Sequence, residues 1–198
     1  MRIHDTVYKY LTDKKKKLTY QDYLSLPDDG NRYEIFEGEL IMTPAPKISH
    51  QEVSKSVGYE LVQWERKTKL GKVFYAPVDV LLSEKSIVQP DLIVILKENY
   101  GIITKENIQG APDLVIEIVL PSSGYYDMFD KKELYEKYGV KEYWIVDPER
   151  GWVEVYVLKN GKFQLSQRVE KQGKIESKIL NDFSLEWETV FGSVGTES

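Results

Sequence analysis

Cysteine is absent from this chain, and histidine occurs only twice, as His4 and His50. The first absence excludes disulfides, thiolate catalysis and thiolate zinc sites. The second excludes a zinc site built on several imidazoles. Any metal would therefore be held by oxygen ligands, which favours Mg²⁺, with Mn²⁺ as the alternative. No apolar stretch approaches the roughly 20 residues that cross a bilayer, so no membrane association is expected. Residues 1–20 carry charges throughout and contain no apolar signal-peptide core, which points to a cytoplasmic location. Gly71-Lys72, Gly161-Lys162 and Gly173-Lys174 are each followed by Val, Phe or Ile, so no nucleotide-hydrolase phosphate loop is present. A Gly-x-Ser-x-Gly elbow and a Gly-x-Gly-x-x-Gly fingerprint are missing too, which sets aside acyl-transfer hydrolases and dinucleotide enzymes. Positive charge is also in short supply: a net charge of −5 argues against nonspecific, charge-driven binding of nucleic acid. The run Lys14-Lys15-Lys16-Lys17 lies in a polar segment and reads as a solvated stretch.

What remains is a chain of 198 residues, 41% apolar, long enough for one domain with a proper core and too short for two ordinary ones. We expect a polar extension over residues 1–17, a single domain over 18–190 and a polar tail over 191–198. Thr19 with Asp22 three residues later predicts a capping box opening a helix from Tyr20 to Leu26. Tyr33 to Phe36 and Glu39 to Met42 flank Glu37-Gly38 as a hairpin. Val53, Val57, Leu61 and Trp64 recur at helical spacing, predicting an amphipathic helix from Ser49 to about Lys67. Strands are expected from Val73 to Leu82, Val88 to Leu96 and Asp113 to Leu120, then a helix from Gly124 to Gly139 and a strand from Glu142 to Pro148. A terminal hairpin, Val153 to Leu158 with Phe163 to Val169, turns at Asn160-Gly161 and precedes a polar tail. The order αβββαβ makes the fold class α/β: a mixed sheet flanked by helices, with added hairpins at both ends.

One carboxylate breaks the pattern. Glu117 interrupts the apolar run Leu114-Val115-Ile116-Glu117-Ile118-Val119-Leu120, which otherwise reads as a strand covered on both faces. An unpaired carboxylate there would cost several kcal/mol, so Glu117 must take up a proton or face a cation. Asp113 shares its face by period two, but four residues at about 3.3 Å separate the two by about 13 Å, too far for one ion. Asp113 is read as a strand-start residue. Asp91 opens another apolar run, Leu92 to Leu96, and adjacent strands lie about 4.8 Å apart, so Asp91 and Glu117 can converge on one metal. Met128, Lys131, Tyr135 and Tyr138 form one helical stripe, which turns Lys131 inward, while Lys132 is expected to pair with Glu136 on an exposed face.

Gln89-Pro90-Asp91, Glu117-Ile118-Val119 and Lys131 together resemble the Pro-Asp…Asp/Glu-x-Lys nuclease superfamily, with the lysine moved from the strand to the following helix. More closely, residues 32–40, 76–80, 110–117 and 139–148 resemble the Uma-two (Uma2) family of restriction endonucleases over about Leu18 to Leu158. The resemblance implies a restriction-endonuclease-like core and Mg²⁺-dependent hydrolysis of DNA phosphodiesters. It makes Asp91 and Glu117 metal ligands, adds the Ile118 carbonyl as a further ligand, and gives Lys131 the attacking water or the phosphate charge. The chain departs from the family after the strand glutamate, where Val119-Leu120-Pro121-Ser122-Ser123 and Gly124-Tyr125-Tyr126 lack a serine and arginines suited to phosphate contact. A homodimer is expected, since cutting both strands needs two active sites. The rival expectation, favoured by the acidic charge, is an inactive nucleic-acid-binding or regulatory module on the same fold. Glu39, His50 and Asp79 are read as structural.

Overall fold

The computed structural model describes residues 17–43, 45–119 and 124–192, apart from the side chains of residues 43 and 124–128. The side chain of Met128, most of the lysine run and the stretch from Leu120 to Ser123 therefore lie outside the described residues. At the first helix, the Asp22 carboxylate accepts the Thr19 N–H at 3.0 Å, as in a capping box, and also accepts the Thr19 hydroxyl at 3.0 Å. That helix, α1, is a single turn, Tyr20–Tyr23. The first hairpin pairs β1 (Arg32–Phe36) with β2 (Glu39–Thr43). Its two turn residues, Glu37 and Gly38, both have positive φ, 49° and 84°, as a tight two-residue turn demands. The long helix α2 spans Ile48–Thr68 and buries the predicted stripe of Val53, Val57, Leu61 and Trp64.

Two prolines reshape the middle of the chain. The strand expected from Val73 to Leu82 divides into β3 (Gly71–Tyr75) and β4 (Val80–Ser83), and the next divides into β5 (Ser86–Val88) and β6 (Leu92–Leu96). Pro77 and Pro90 lie in the two gaps, and neither has an N–H to continue a ladder. The strands leave the sheet together: β3 pairs with β6 and β4 with β5, while Ala76 N–H donates to the Asp91 carbonyl across the bend at 3.0 Å.

After a 3₁₀ helix (Lys97–Ile102) and β7 (Ile108–Gln109), β8 (Leu114–Ile118) enters the centre of the larger sheet. Helix α3 (Gly124–Tyr138) then crosses over to β9 (Glu142–Asp147), which runs parallel to β8. The hairpin of β10 (Trp152–Lys159) and β11 (Lys162–Glu170) extends the sheet, giving the order β11-β10-β9-β8-β6-β3, antiparallel except at β8 and β9. A second sheet has the order β2-β1-β5-β4-β7. The architecture is mixed α/β, as expected, with the αβββαβ order carried by α2, β3, β6, β8, α3 and β9.

Helix α2 covers one face of the larger sheet, against Leu92, Val94, Leu114 and Ile116. Leu134 and Tyr135 of α3, with Val80 and Val88 of the second sheet, cover the other, against Ile93, Ile95, Val115 and Ile145. Strands β6 and β8 are thus enclosed on both sides, which is why they read as apolar runs, broken in β8 by Glu117 alone. Leu61 is fully buried, so Leu61→Ala is expected to lower the unfolding free energy by about 2–5 kcal/mol, read from urea denaturation.

The stretch after Val169, for which no strand or helix is expected, forms three short elements. β12 (Lys174–Glu176) pairs with β13 (Ser184–Glu186), and α4 (Trp187–Phe191) follows. Ile175, Leu180, Phe183, Leu185, Val190 and Phe191 close the α2 side of the core. These apolar residues stand singly or in pairs among polar ones, so no strand or helix period announces them. Only burial against α2 and β9 reveals their role.

Candidate functional site

The bend at Pro90 places Asp91 one step beyond Leu92, which pairs with Ile116 in the antiparallel register of β6 and β8. The same register carried one step further sets Asp91 opposite Glu117, and opposed residues of an antiparallel pair point to one face. That face is the one covered by α3, which delivers Lys131, and by the second sheet, whose β1 delivers Glu34.

Asp91 is held through one oxygen. Its Oδ2 accepts the Ile118 N–H at 2.9 Å and lies 3.0 Å from Nε2 of His50. Among the described residues its Oδ1 has only Arg32 Nη1 at 3.9 Å, an ion-pair distance too long for a hydrogen bond. Glu117 is treated likewise: Oε1 accepts from Lys131 Nζ at 3.1 Å and from the Tyr135 hydroxyl at 2.7 Å. Among the described residues no hydrogen bond reaches its Oε2. Lys131 also lies 3.1 Å from Glu34 Oε2, and Glu34 Oε1 accepts the Gln89 N–H at 2.7 Å. Asp91, Glu117, Lys131 and Glu34 are all buried.

Three carboxylates in so small a volume drive their proton affinities apart. Burial pushes the Glu117 carboxyl up to about 8, and the charges of Asp91 and Glu34 add to this against Lys131 and Tyr135. Burial also pushes Asp91 upward, but the His50 contact, the Ile118 N–H and Lys131 outweigh it and hold Asp91 below the ordinary carboxylate range. At neutral pH one acid is ionised and its neighbour largely protonated. Such opposed pairs mark functional sites more often than structural ones.

The donor set suits a hard cation. Among the described residues no group of three or more His, Asp and Glu side chains is arranged to hold a metal. Two carboxylate oxygens, Asp91 Oδ1 and Glu117 Oε2, remain without hydrogen-bond donors among the described residues. That number matches Mg²⁺, which takes one or two carboxylates and completes its shell with water and substrate oxygens.

Asp91, Glu117, Lys131 and the Ile118 backbone are thus brought together. The remaining sequence candidates distribute differently. His50, read from the sequence as a capping or packing residue, touches Asp91, and its buried Nδ1 has no hydrogen-bond partner among the described residues. Glu39 lies outside the cluster, exposed and paired with Lys17 at 2.9 Å. Asp79 stands one layer out, accepting from Tyr23 at 2.7 Å and from Gln89 at 2.9 Å. Asp113 accepts the Leu96 N–H at 2.7 Å and pairs with Lys141 at 2.7 Å, so it ties the end of β6 to the approaches to β8 and β9. The expected Lys132–Glu136 pair does not form: Lys132 sits 3.7 Å above the Tyr156 ring and Glu136 pairs with Lys162 at 2.6 Å. The β10–β11 hairpin supplies both alternative partners, which the spacing on α3 alone could not reveal.

Glu34 was missed in the sequence. Its signal was an acid inside Tyr33-Glu34-Ile35-Phe36, the same anomaly that singled out Glu117. Tyr135 was placed on the inward stripe, but its hydroxyl contact with Glu117 was not anticipated.

No curated protein matches the sequence. Among solved structures, the chain is similar to a crystal structure described as a "putative nuclease belonging to DUF820" from Anabaena variabilis ATCC 29413. The two are 19% identical, the match covers 88% of this chain and 98% of the other, and the TM-score is 0.74. At that identity the likeness establishes the fold. The Uma2 family model, described as "Putative restriction endonuclease", matches residues 20–188, nearly the whole chain. With the fold, the motifs and their convergence in agreement, this protein belongs to the Uma2 family.

Proposed function

We propose that this protein is a Mg²⁺-dependent endonuclease that hydrolyses DNA phosphodiester bonds, with Mn²⁺ as an alternative ion. Asp91, Glu117 and Lys131 are its catalytic residues. The observation that carries the reading is the meeting of three separate elements in one buried cluster, with Lys131 Nζ 3.1 Å from Glu117 and Asp91 facing Glu117 across the ladder. Asp91 Oδ1, Glu117 Oε2 and the Ile118 carbonyl would hold the ion, which when bound supplies charge neutralisation and Lewis-acid polarisation at the phosphate. His50 and the Ile118 N–H orient the Asp91 carboxylate through its other oxygen. Tyr135 does the same for Glu117. The Lys131 ammonium orients the attacking water and stabilises charge that builds on the phosphate oxygens, in a site dry enough for that charge to matter.

Asp91→Ala is expected to abolish plasmid cleavage in Mg²⁺ while circular dichroism still reports a folded protein. Cutting at the wild-type rate would sink the assignment. Duplex cleavage by this route calls for a homodimer, which sedimentation velocity would report as a species of twice the chain mass.

One observation favours a second reading. Lys131 bridges Glu34 and Glu117, as it would in a purely structural ion-pair network, and the net charge of −5 is unfavourable for DNA. An inactive nucleic-acid-binding or regulatory module would have these features. Calorimetry decides between the two: heat of Mg²⁺ binding at millimolar ion supports the enzyme, and its absence supports the module.

A further inference from the structure

We infer that Arg32 is a phosphate-binding residue of this site, with a guanidinium locked by Gln89 so that Nη1 meets a backbone phosphate of DNA beside Asp91. The inference rests on the nuclease reading above. Arg32 opens β1 and spends two of its nitrogens on one residue: Nη2 donates to the Gln89 carbonyl at 2.7 Å and Nε to Gln89 Oε1 at 3.2 Å. Gln89 is itself immobilised, since its Nε2 donates to the Tyr23 hydroxyl at 3.0 Å and to Asp79 Oδ1 at 2.9 Å. The Tyr23 hydroxyl in turn donates to Asp79 at 2.7 Å. Burial and the neighbouring Asp79 push the Tyr23 hydroxyl well above its ordinary value, so it remains a neutral donor. Three residues, from α1, the segment before β4 and the β5–β6 bend, thereby fix the orientation of one guanidinium on β1.

This network gives Gln89, Tyr23 and Asp79 a shared role in holding Arg32. Among the described residues the third nitrogen, Nη1, is left with Asp91 Oδ1 at 3.9 Å, too far for a hydrogen bond. The Arg32 side chain is 25% exposed, against 9% for Lys131 and 8% for Asp91, so it is the cation on the solvent side of the cluster. Lys131 faces inward between two carboxylates. An incoming phosphate therefore meets Arg32 first. A planar, pre-oriented guanidinium is also the side chain best matched to phosphate oxygens.

The test compares wild type, Arg32→Ala and Arg32→Lys by fluorescence anisotropy with a labelled DNA duplex in Ca²⁺, together with Mn²⁺ calorimetry and melting temperature. Arg32→Ala is expected to weaken duplex binding roughly tenfold to hundredfold. It should also reduce the slope of log affinity against log salt by about one. Arg32→Lys keeps the charge and loses the fork, so its slope is expected to stay near wild type while affinity falls; it also decides the question if the alanine variant does not fold. Mn²⁺ affinity is expected to hold or rise, because a positive charge beside Asp91 has been reduced or moved. Unchanged DNA affinity and slope in a wild type that binds and cuts DNA would overturn this inference alone and leave Arg32 a counter-ion of Asp91. A wild type that neither binds nor cuts the duplex would overturn the nuclease reading and this inference together.

Discussion

Glu117→Gln is expected to abolish cleavage and, at alkaline pH, to yield a more stable protein than the wild type. The amide is nearly isosteric with the protonated acid, so Lys131 and Tyr135 keep an acceptor at the same position, while the charge that a divalent ion needs is gone. The effect on stability follows from linkage. The folded-state value of the Glu117 carboxyl, about 8, lies above its ordinary 4.5, so between those limits the folded protein keeps a proton that the unfolded chain has released. Stability from this group is complete below about pH 4.5, declines as pH rises toward 8, and levels off above. The wild type should lose on the order of a few kcal/mol relative to Glu117→Gln across that window, since each tenfold change in proton affinity is worth about 1.4 kcal/mol. Urea denaturation of both proteins near pH 5 and near pH 9 measures it. Parallel curves would mean that Glu117 is ionised throughout and that its neighbours compensate its charge fully. A gain in stability with a loss of activity is the usual signature of a strained functional group.

Lys131→Met carries the second large effect, and in the opposite direction for stability. Methionine keeps an apolar stem that can pass Phe36, over whose ring Nζ sits at 5.8 Å, but it removes the only ammonium in contact with Glu34 and Glu117 among the described residues. Breaking a buried pair by removing one partner costs about 3–5 kcal/mol, because the remaining charge is left without compensation. Cleavage should fall about 10²–10³-fold, the loss typical of removing one preorganised donor aimed at developing charge. The double variant Lys131→Met/Glu117→Gln discriminates further. Above about pH 8, where Glu117 ionises, it should be less destabilised than Lys131→Met alone, since one of the orphaned acids has been neutralised. Additive losses would show that Lys131 stabilises through packing rather than charge.

These two residues also show how much of the site is legible in the sequence. Glu117 was legible because a charge within an enclosed strand violates the local pattern, and Lys131 because helical spacing turned it toward the core. Asp91 followed from the spacing of strands and the exclusion of Asp113. Glu34 and His50 were not legible as members of the cluster. Glu34 lies 97 residues from Lys131 in sequence, and His50 lies 41 from Asp91. No periodicity in β1 or α2 encodes a contact at that range. Lys132 failed for the same reason: the local rule offered Glu136 as partner, and a hairpin from further along the chain displaced it.

The fold divides along a similar line. Sequence by itself determined the α/β class, the helical stripe of α2, the crossover helix and the hairpins, because side-chain period and turn chemistry are local properties. Tertiary structure alone decided that the two central strands break at Pro77 and Pro90 into two sheets, and that the apolar residues after Val169 complete the core. It also decided which side chains share a cluster. A proline announces a missing donor without saying where the chain goes next, and a buried charge announces a need for a partner without naming it. Both are settled when β1, β8 and α3 pack onto the bend at Asp91, since desolvation leaves each charge there dependent on the others.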